Sequence, residues 1–300
     1  MEEILISHDK PIQSLKCHLE GVYELNQFYL KEIQQNLKDD DVFKSLVSIL
    51  SLFHDFGKST EYFQKYITSE KDSKDKKKNH ALLSSILTYF ITDHFLKQKG
   101  GEFLFLPFFL FVIVRRHHGN LNNIEIESIK FTDEERKRLH IQIDALILDG
   151  FLNQLSNLLS YLPEEVQILF PLTKEQLHAW IDEFEIELSK IRRSWTRYVR
   201  QKSKNQNDLS DYLLICLLYS LLLDGDKNQA ALRKTDVLQK RRDLPYVAVD
   251  QYKRKQNWDN TGQMNKLREK AYQEINEKVL TIHGSLFSIT LPTGMGKTLA

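Results

Sequence analysis

Ser51-Leu52-Phe53-His54-Asp55-Phe56-Gly57-Lys58 is the stretch on which the reading of this 300-residue chain turns. An apolar run leads straight into a His-Asp pair, then a glycine and a lysine. Val42, Leu46, Ile49, Leu50 and Phe53 recur at helical spacing and define one face. His54 comes one turn after Leu50, so it points the same way, into the core. Gly57 is placed to end that helix. An imidazole beside a carboxylate on apolar ground is costly to bury unless something pairs with it. A metal ion is the natural partner.

Upstream, residues 14–37 read as an amphipathic helix with Leu15, Leu19, Val22, Leu25 and Phe28 inward and His18 and Gly21 beside that stripe. Taken alone, His18 reads more often as a satisfied structural histidine than as a ligand. Residues 1–13 are a short lead. Their His8-Asp9 pair has no apolar helix before it and Pro11 soon after, so it is expected on the surface without a role.

Downstream, a short helix is expected over 61–67, then a solvated loop, Ser69–Lys78, rich in lysine. That loop is either a linker or a nucleic-acid contact. Asn79 is expected to cap a helix that opens with His80 and carries Leu83, Leu87 and Ile91 on one face. A phenylalanine-rich helix then runs into Arg115-Arg116-His117-His118-Gly119-Asn120. Two histidines there either favour the helix C-terminus electrostatically or act as ligands. Helices are expected over 132–148, 150–161 and 173–206, with an ordinary charge pattern and no assigned chemistry. Asp208–Leu223 looks like the most buried helix and is expected to end in Asp224-Gly225-Asp226. That carboxylate is a ligand, or else part of a polar terminus or a turn.

Lys and Arg number 42 against 41 for Asp and Glu, so no global basic field marks a nucleic-acid binder, and any such contact must be a local patch. Cys17 and Cys216 make no CxxC and no disulfide framework, which suits a reduced, cytoplasmic protein. The N-terminus is acidic and lacks a signal-peptide n-region. The greasy runs Phe103–Val114 and Tyr212–Leu223 fall short of the roughly 20 residues a spanning helix needs, and Pro107 interrupts the first. Both read as core helices, and no membrane partner is expected.

The candidate ligands are His18, His54, Asp55, His80, His117, His118 and one of Asp224 or Asp226, each on or at the end of an apolar helix. Imidazoles with two carboxylates suit a two-metal centre, with Asp55 placed to bridge. Such a pair activates water and clamps both oxygens of a phosphodiester displacement. Mixed nitrogen and oxygen ligation favours transition ions over magnesium.

This order of His, His-Asp, His, His-His and Asp on an all-α scaffold resembles the HD superfamily of metal-dependent phosphohydrolases. His54-Asp55-Phe56-Gly57-Lys58, a Phe63-Gln64 helix, Asn79-His80-Ala81 and His117-His118-Gly119 resemble one branch closely, the nuclease domain of the nuclease-helicase effector of type I CRISPR systems. The likeness spans about residues 14–230. It implies an HD-domain helical bundle binding two divalent ions (Mn, Ni, Co or Fe) through the seven residues above. It also implies that Lys58 contacts the scissile phosphate and that Asp55 is catalytic. Asp226 is favoured as the late ligand because in HD proteins that aspartate follows a small residue; Asp224 is the alternative. The implied substrate is single-stranded DNA displaced in an R-loop by a Cascade-type guide-RNA surveillance complex.

A second motif closes the sequence. Ser285–Thr290 reads as a strand feeding Leu291-Pro292-Thr293-Gly294-Met295-Gly296-Lys297-Thr298. Leu291 departs from the first glycine of the general phosphate-binding loop. Gly294 and Gly296 let backbone N–H groups approach the phosphates, Lys297 reaches the β- and γ-phosphates of ATP, and Thr298 coordinates Mg²⁺. The form resembles motif I of superfamily 2 helicases. It implies the first strand and P-loop of a RecA-like α/β helicase domain, truncated here and unable to hydrolyse ATP as it stands. The expected organisation is a nuclease domain over 1–230, a linker over 231–260 and the helicase start over 261–300. Two rival readings are an HD phosphohydrolase acting on nucleotides or signalling dinucleotides, and a non-catalytic HD scaffold on an ATP-driven motor.

Overall fold

Helices dominate the computed structural model, which describes residues 4–33, 41–69, 74–100, 105–202, 208–233, 245, 247–256 and 262–281. The chain divides into two compact units, Met1–Gln239 and Lys240–Ala300. In the first, strands β1 (Ile6–Asp9) and β2 (Ile12–Ser14) pair antiparallel as a small hairpin. Then come α1 (Leu15–Ile33), α2 (Asp41–Phe53), a 3₁₀ turn (Phe56–Ser59), α3 (Glu61–Thr68), α4 (Ala81–Lys99) and α5 (Leu106–Arg116). The short α6 (Ile124–Glu127), α7 (Asp133–Asp144), α8 (Leu148–Leu155), the short α9 (Glu164–Gln167), α10 (Lys174–Lys202) and α11 (Ser210–Leu232) complete it. The second unit contains α12 (Ala248–Lys255), inside the span expected as linker, and α13 (Gln263–Thr281). The expected strand and phosphate-binding loop, with Gly294, Gly296, Lys297 and Thr298, lie outside the described residues.

The core of the first unit forms around α2, α4 and α5. Leu46, Ile49, Leu50 and Phe53 bury as their spacing requires. α4 is buried nearly all round from Leu83 to Thr92, and α5 from Pro107 to Val114. A helix apolar on every side needs neighbours on every side. α1 and α11 close one flank, where Gly21 lets them meet: a Cβ there would fall 2.7 Å from Gln229 Cγ.

Several local expectations change. Within the lead, the described residues from Ile6 onward form the β1–β2 hairpin, tied down by Gln64, whose amide exchanges bonds with the Ile6 backbone (2.9 Å each way) and donates to the Lys58 carbonyl (2.7 Å). α2 stops at Phe53, before Gly57. What Gly57 provides is room, because a Cβ there would lie 2.6 Å from the His80 carbonyl oxygen. His80, not Asn79, occupies the N-cap position of α4, and the Asn79 carbonyl accepts from Gln142 instead. α11 runs past Asp224 to Leu232, and its first turn is exposed at Tyr212 and Leu213, so it is less buried than its composition suggests. In the lysine segment, Lys77 and Lys78 lie over the rings of Tyr62 and Tyr66 (4.5 and 3.8 Å) instead of extending into solvent.

Candidate metal centre

Asp55 sits at zero exposure between α2 and the 3₁₀ turn, and its two oxygens face opposite ways. Oδ2 lies 3.1 Å from His18 Nε2 and 3.4 Å from His54 Nε2. Oδ1 lies 3.1 Å from His80 Nε2 and 3.5 Å from His117 Nε2. Asp226 closes the first group, its Oδ1 being 3.2 Å from His18 Nε2 and 3.8 Å from His54 Nε2. His118 closes the second, its Nε2 being 2.9 Å from His80 Nε2. Two ligand clusters result, His18-His54-Asp55-Asp226 and Asp55-His80-His117-His118, sharing only Asp55.

Each side chain is delivered by a simple local device. His54 follows the last turn of α2, its N–H bonded to the Leu50 carbonyl at 3.2 Å. His18 is one turn after Leu15 on α1, and His117 and His118 end α5. The turn after His118 is held by Tyr219, whose hydroxyl donates to the carbonyls of Arg116 and Gly119, and by buried Glu127, which pairs with Arg115 and Arg116. On α11, Leu218, Leu222 and Asp226 recur every fourth residue on the buried face, so Asp226 turns inward and Asp224 is exposed.

The second nitrogens fix the tautomers. His18 Nδ1 meets Gln229 Oε1 at 2.7 Å, His54 Nδ1 meets the Ser51 carbonyl at 3.0 Å, and His117 Nδ1 meets the Val114 carbonyl at 2.6 Å. Each partner is an acceptor, so each Nδ1 carries a proton and Nε2 is the nitrogen left to the centre. Nε2 of His18, His54 and His117 are buried with no hydrogen bond. Imidazole nitrogens facing carboxylate oxygens at these distances need a cation between them, a proton or a metal ion. A histidine whose outer nitrogen is held by an acceptor is also how metal-ligating imidazoles are oriented. The residues therefore fit a pair of divalent ions, three side chains to each plus the shared Asp55.

Protonation follows the same electrostatics. Burial opposes a charged His54, yet Asp55 and then Asp226 outweigh it and push its pKa up to about 10. Burial likewise opposes a charged Asp55, but Lys58 and His54 hold it well below the usual carboxylate range. Asp226 is held down, against burial, by His18 and His54. Burial lowers His80 to about 4 and His118 to about 3. Lys58 Nζ reaches Asp55 Oδ2 at 2.7 Å and Ser7 Oγ at 3.2 Å, and is itself nearly buried.

Two residues near the centre were not expected there. Gln229 stands just before the expected linker with no role assigned to it, yet it orients His18. His8, expected to be idle, packs edge-on against the His18 ring with centroids 5.0 Å apart. Burial lowers its pKa to about 4, helped by Lys58.

A helical scaffold carrying two clustered ligand sets bridged by one carboxylate is a candidate metal-dependent centre. No family model matches the sequence. Over 50 residues, 17% of this chain, it is 38% identical to the CRISPR-associated nuclease/helicase Cas3 of Haloferax volcanii. The matched residues make up 5% of that protein, so the similarity covers a small part of it. Among the described residues, no helix is long and apolar enough to cross a membrane.

Proposed function

We propose that this chain is the nuclease part of a CRISPR-associated nuclease–helicase and cleaves single-stranded DNA by metal-dependent phosphodiester hydrolysis. The observation that carries the proposal is the placement of Asp55 between two ligand clusters; the partial likeness to a nuclease/helicase supports the substrate class. His18, His54 and Asp226 would hold one divalent transition ion, and His80, His117 and His118 the other, with Asp55 touching both. When bound, such a pair supplies an activated water and neutralises charge on the phosphate oxygens.

The chain's own residues set the geometry. Gln229, Ser51 and Val114 hold Nδ1 of three histidines and aim each Nε2 inward. Asp226, His80 and His118 are the ligands with residual exposure, so substrate approaches from their side. Lys58 supplies a fixed positive charge beside Asp55, suited to a non-bridging oxygen of the scissile phosphate. Hydrolysis adds water across one P–O bond and leaves a phosphomonoester and a hydroxyl. Single strands can enter such a site through backbone attraction and base stacking, whereas a duplex must first be opened.

In the same proposal, the loop with Gly294, Gly296, Lys297 and Thr298 binds ATP and Mg²⁺ for a helicase, and a guide-RNA surveillance complex recruits the protein to exposed strands. The test is cleavage of free single-stranded DNA by the chain with Mn²⁺, Ni²⁺ or Co²⁺ and no ATP. His54→Ala should lose cleavage and Lys297→Ala should keep it. Loss in Lys297→Ala, or hydrolysis confined to mononucleotides and dinucleotides, would overturn the proposal.

A further inference from the structure

The solvent edge where α7 meets α10 carries a second histidine pair that the metal centre does not use. His140 Nδ1 and His178 Nδ1 face each other at 2.7 Å. Their ring planes are 12° apart. The far nitrogen of each ring meets a carboxylate of the other helix: His140 Nε2 lies 3.3 Å from Asp182 Oδ1, and His178 Nε2 lies 3.0 Å from Asp144 Oδ1. His140 and Asp144 are one turn apart on α7, and His178 and Asp182 are one turn apart on α10, so the arrangement is nearly symmetric.

An ionised carboxylate only accepts, so each Nε2 carries a proton and donates it. In the neutral rings both Nδ1 atoms are then acceptors, pointed at each other within hydrogen-bond distance. That contact is repulsive as it stands. A proton or a metal ion must lie between them. A carboxylate holding the outer N–H of an imidazole is the arrangement that orients metal-binding histidines.

We propose that His140 and His178 form a second, structural metal site, binding one late first-row divalent ion such as Zn²⁺, Ni²⁺ or Cu²⁺ through their Nδ1 atoms. Imidazole donors select these ions over Mg²⁺ and Ca²⁺. Water fills the remaining positions, because the side chains of His140 and His178 are 30% and 29% exposed. Tetrahedral ligation at zinc–nitrogen lengths of ~2.0–2.1 Å sets the two nitrogens about 3.3 Å apart. The rings open slightly to reach that spacing, which their exposure permits.

The ion would extend a clamp already present. One turn along α7, the Arg136 guanidinium reaches both oxygens of Glu185 on α10, at 2.7 and 2.6 Å. Beneath, Leu139 and Ile143 of α7 belong to the same hydrophobic core as Phe184 and Leu188 of α10, and the two helices are in contact. α7 in turn carries Gln142, whose amide donates to the carbonyls of Lys77 and Asn79, directly before His80. Fixing α7 on α10 therefore steadies the segment that delivers His80.

The inference does not rest on the proposed nuclease activity, and neither does its test. The whole chain is stripped with chelator and titrated with Zn²⁺ alone, and bound zinc is counted by equilibrium dialysis and elemental analysis. His178→Ala should bind one equivalent fewer than the unaltered chain, with an unchanged far-ultraviolet circular dichroism spectrum. His140→Ala should do the same, and Asp182→Asn should weaken that one equivalent by about 10- to 100-fold. With Cu²⁺, nitrogen hyperfine structure from this site should vanish in either alanine variant. Equal zinc stoichiometry in the unaltered chain and both folded alanine variants would overturn the proposal and leave the pair sharing a proton.

Discussion

Gly57→Ala separates the two halves of the centre with one methyl group. The added Cβ would stand 2.6 Å from the His80 carbonyl oxygen, 2.9 Å from His80 Cβ and 3.0 Å from His80 Cα. Optimal carbon contacts lie near 3.5–4.0 Å, so about an ångström must be recovered. The obstacle is mainly backbone and cannot rotate away. Gly57 N–H is also anchored, donating to Ser84 Oγ at 2.9 Å, so the strain passes to the start of α4. Overpacking of this kind costs about 1–3 kcal/mol. Loss of glycine's freedom in the unfolded chain offsets about 0.4–1 kcal/mol. A net loss of about 1–2 kcal/mol lowers the melting temperature by roughly 2–8 °C for a unit of this size. His80 would move away from Asp55 Oδ1, while His18, His54 and Asp226 keep their positions. The variant should keep metal at the first cluster and lose it at the second. Thermal unfolding and elemental analysis against a His178→Ala background check both parts. An unchanged melting temperature with full metal content would refute the close-approach reasoning.

Asp226→Asn should abolish single-strand cleavage and Asp224→Asn should retain most of it; the reverse result would move the late ligand to Asp224 and reject the helix phase read for α11. Gln229→Leu frees the His18 ring and should lower metal affinity by about 10- to 100-fold, read by competition with a chromogenic chelator. The metal-free chain should be most stable near pH 6.5. His80, lowered to about 4 by burial from an ordinary 6.5, contributes stability that is full above pH 6.5 and lost as pH falls toward 4. His54, raised to about 10 against burial by Asp55 and Asp226, contributes stability that is full below pH 6.5 and lost as pH rises toward 10. Melting temperatures from pH 4 to 10 check this, and metal should remove the alkaline loss by replacing the proton on His54; a flat profile in the metal-free chain contradicts it.

Helical periodicity made the core legible. Leu46, Ile49, Leu50 and Phe53 repeat locally, so the direction of His54 could be read without tertiary information. The same holds for His18 behind Leu15 and for the end of α5. What escaped was non-local. Strands of four and three residues carry little pattern, so the β1–β2 hairpin and the burial of His8 were invisible. Gln229 acts on His18 across 211 residues, and His140 meets His178 across 38. Each looks like an ordinary surface residue on its own helix. Asp224 and Asp226 were both open until the length of α11 fixed its phase, because a helix ending at Leu223 would aim either one differently.

Anomalous diffraction from metal-loaded crystals would show whether Asp55 serves both clusters at once. Two peaks should appear, one against His18, His54 and Asp226, the other against His80, His117 and His118, both in contact with Asp55. Asp55→Asn, a change of one atom in a fully buried side chain, should empty both positions together. One persistent peak in Asp55→Asn, or a single ion in the unaltered chain at saturating metal, would contradict the shared-ligand account.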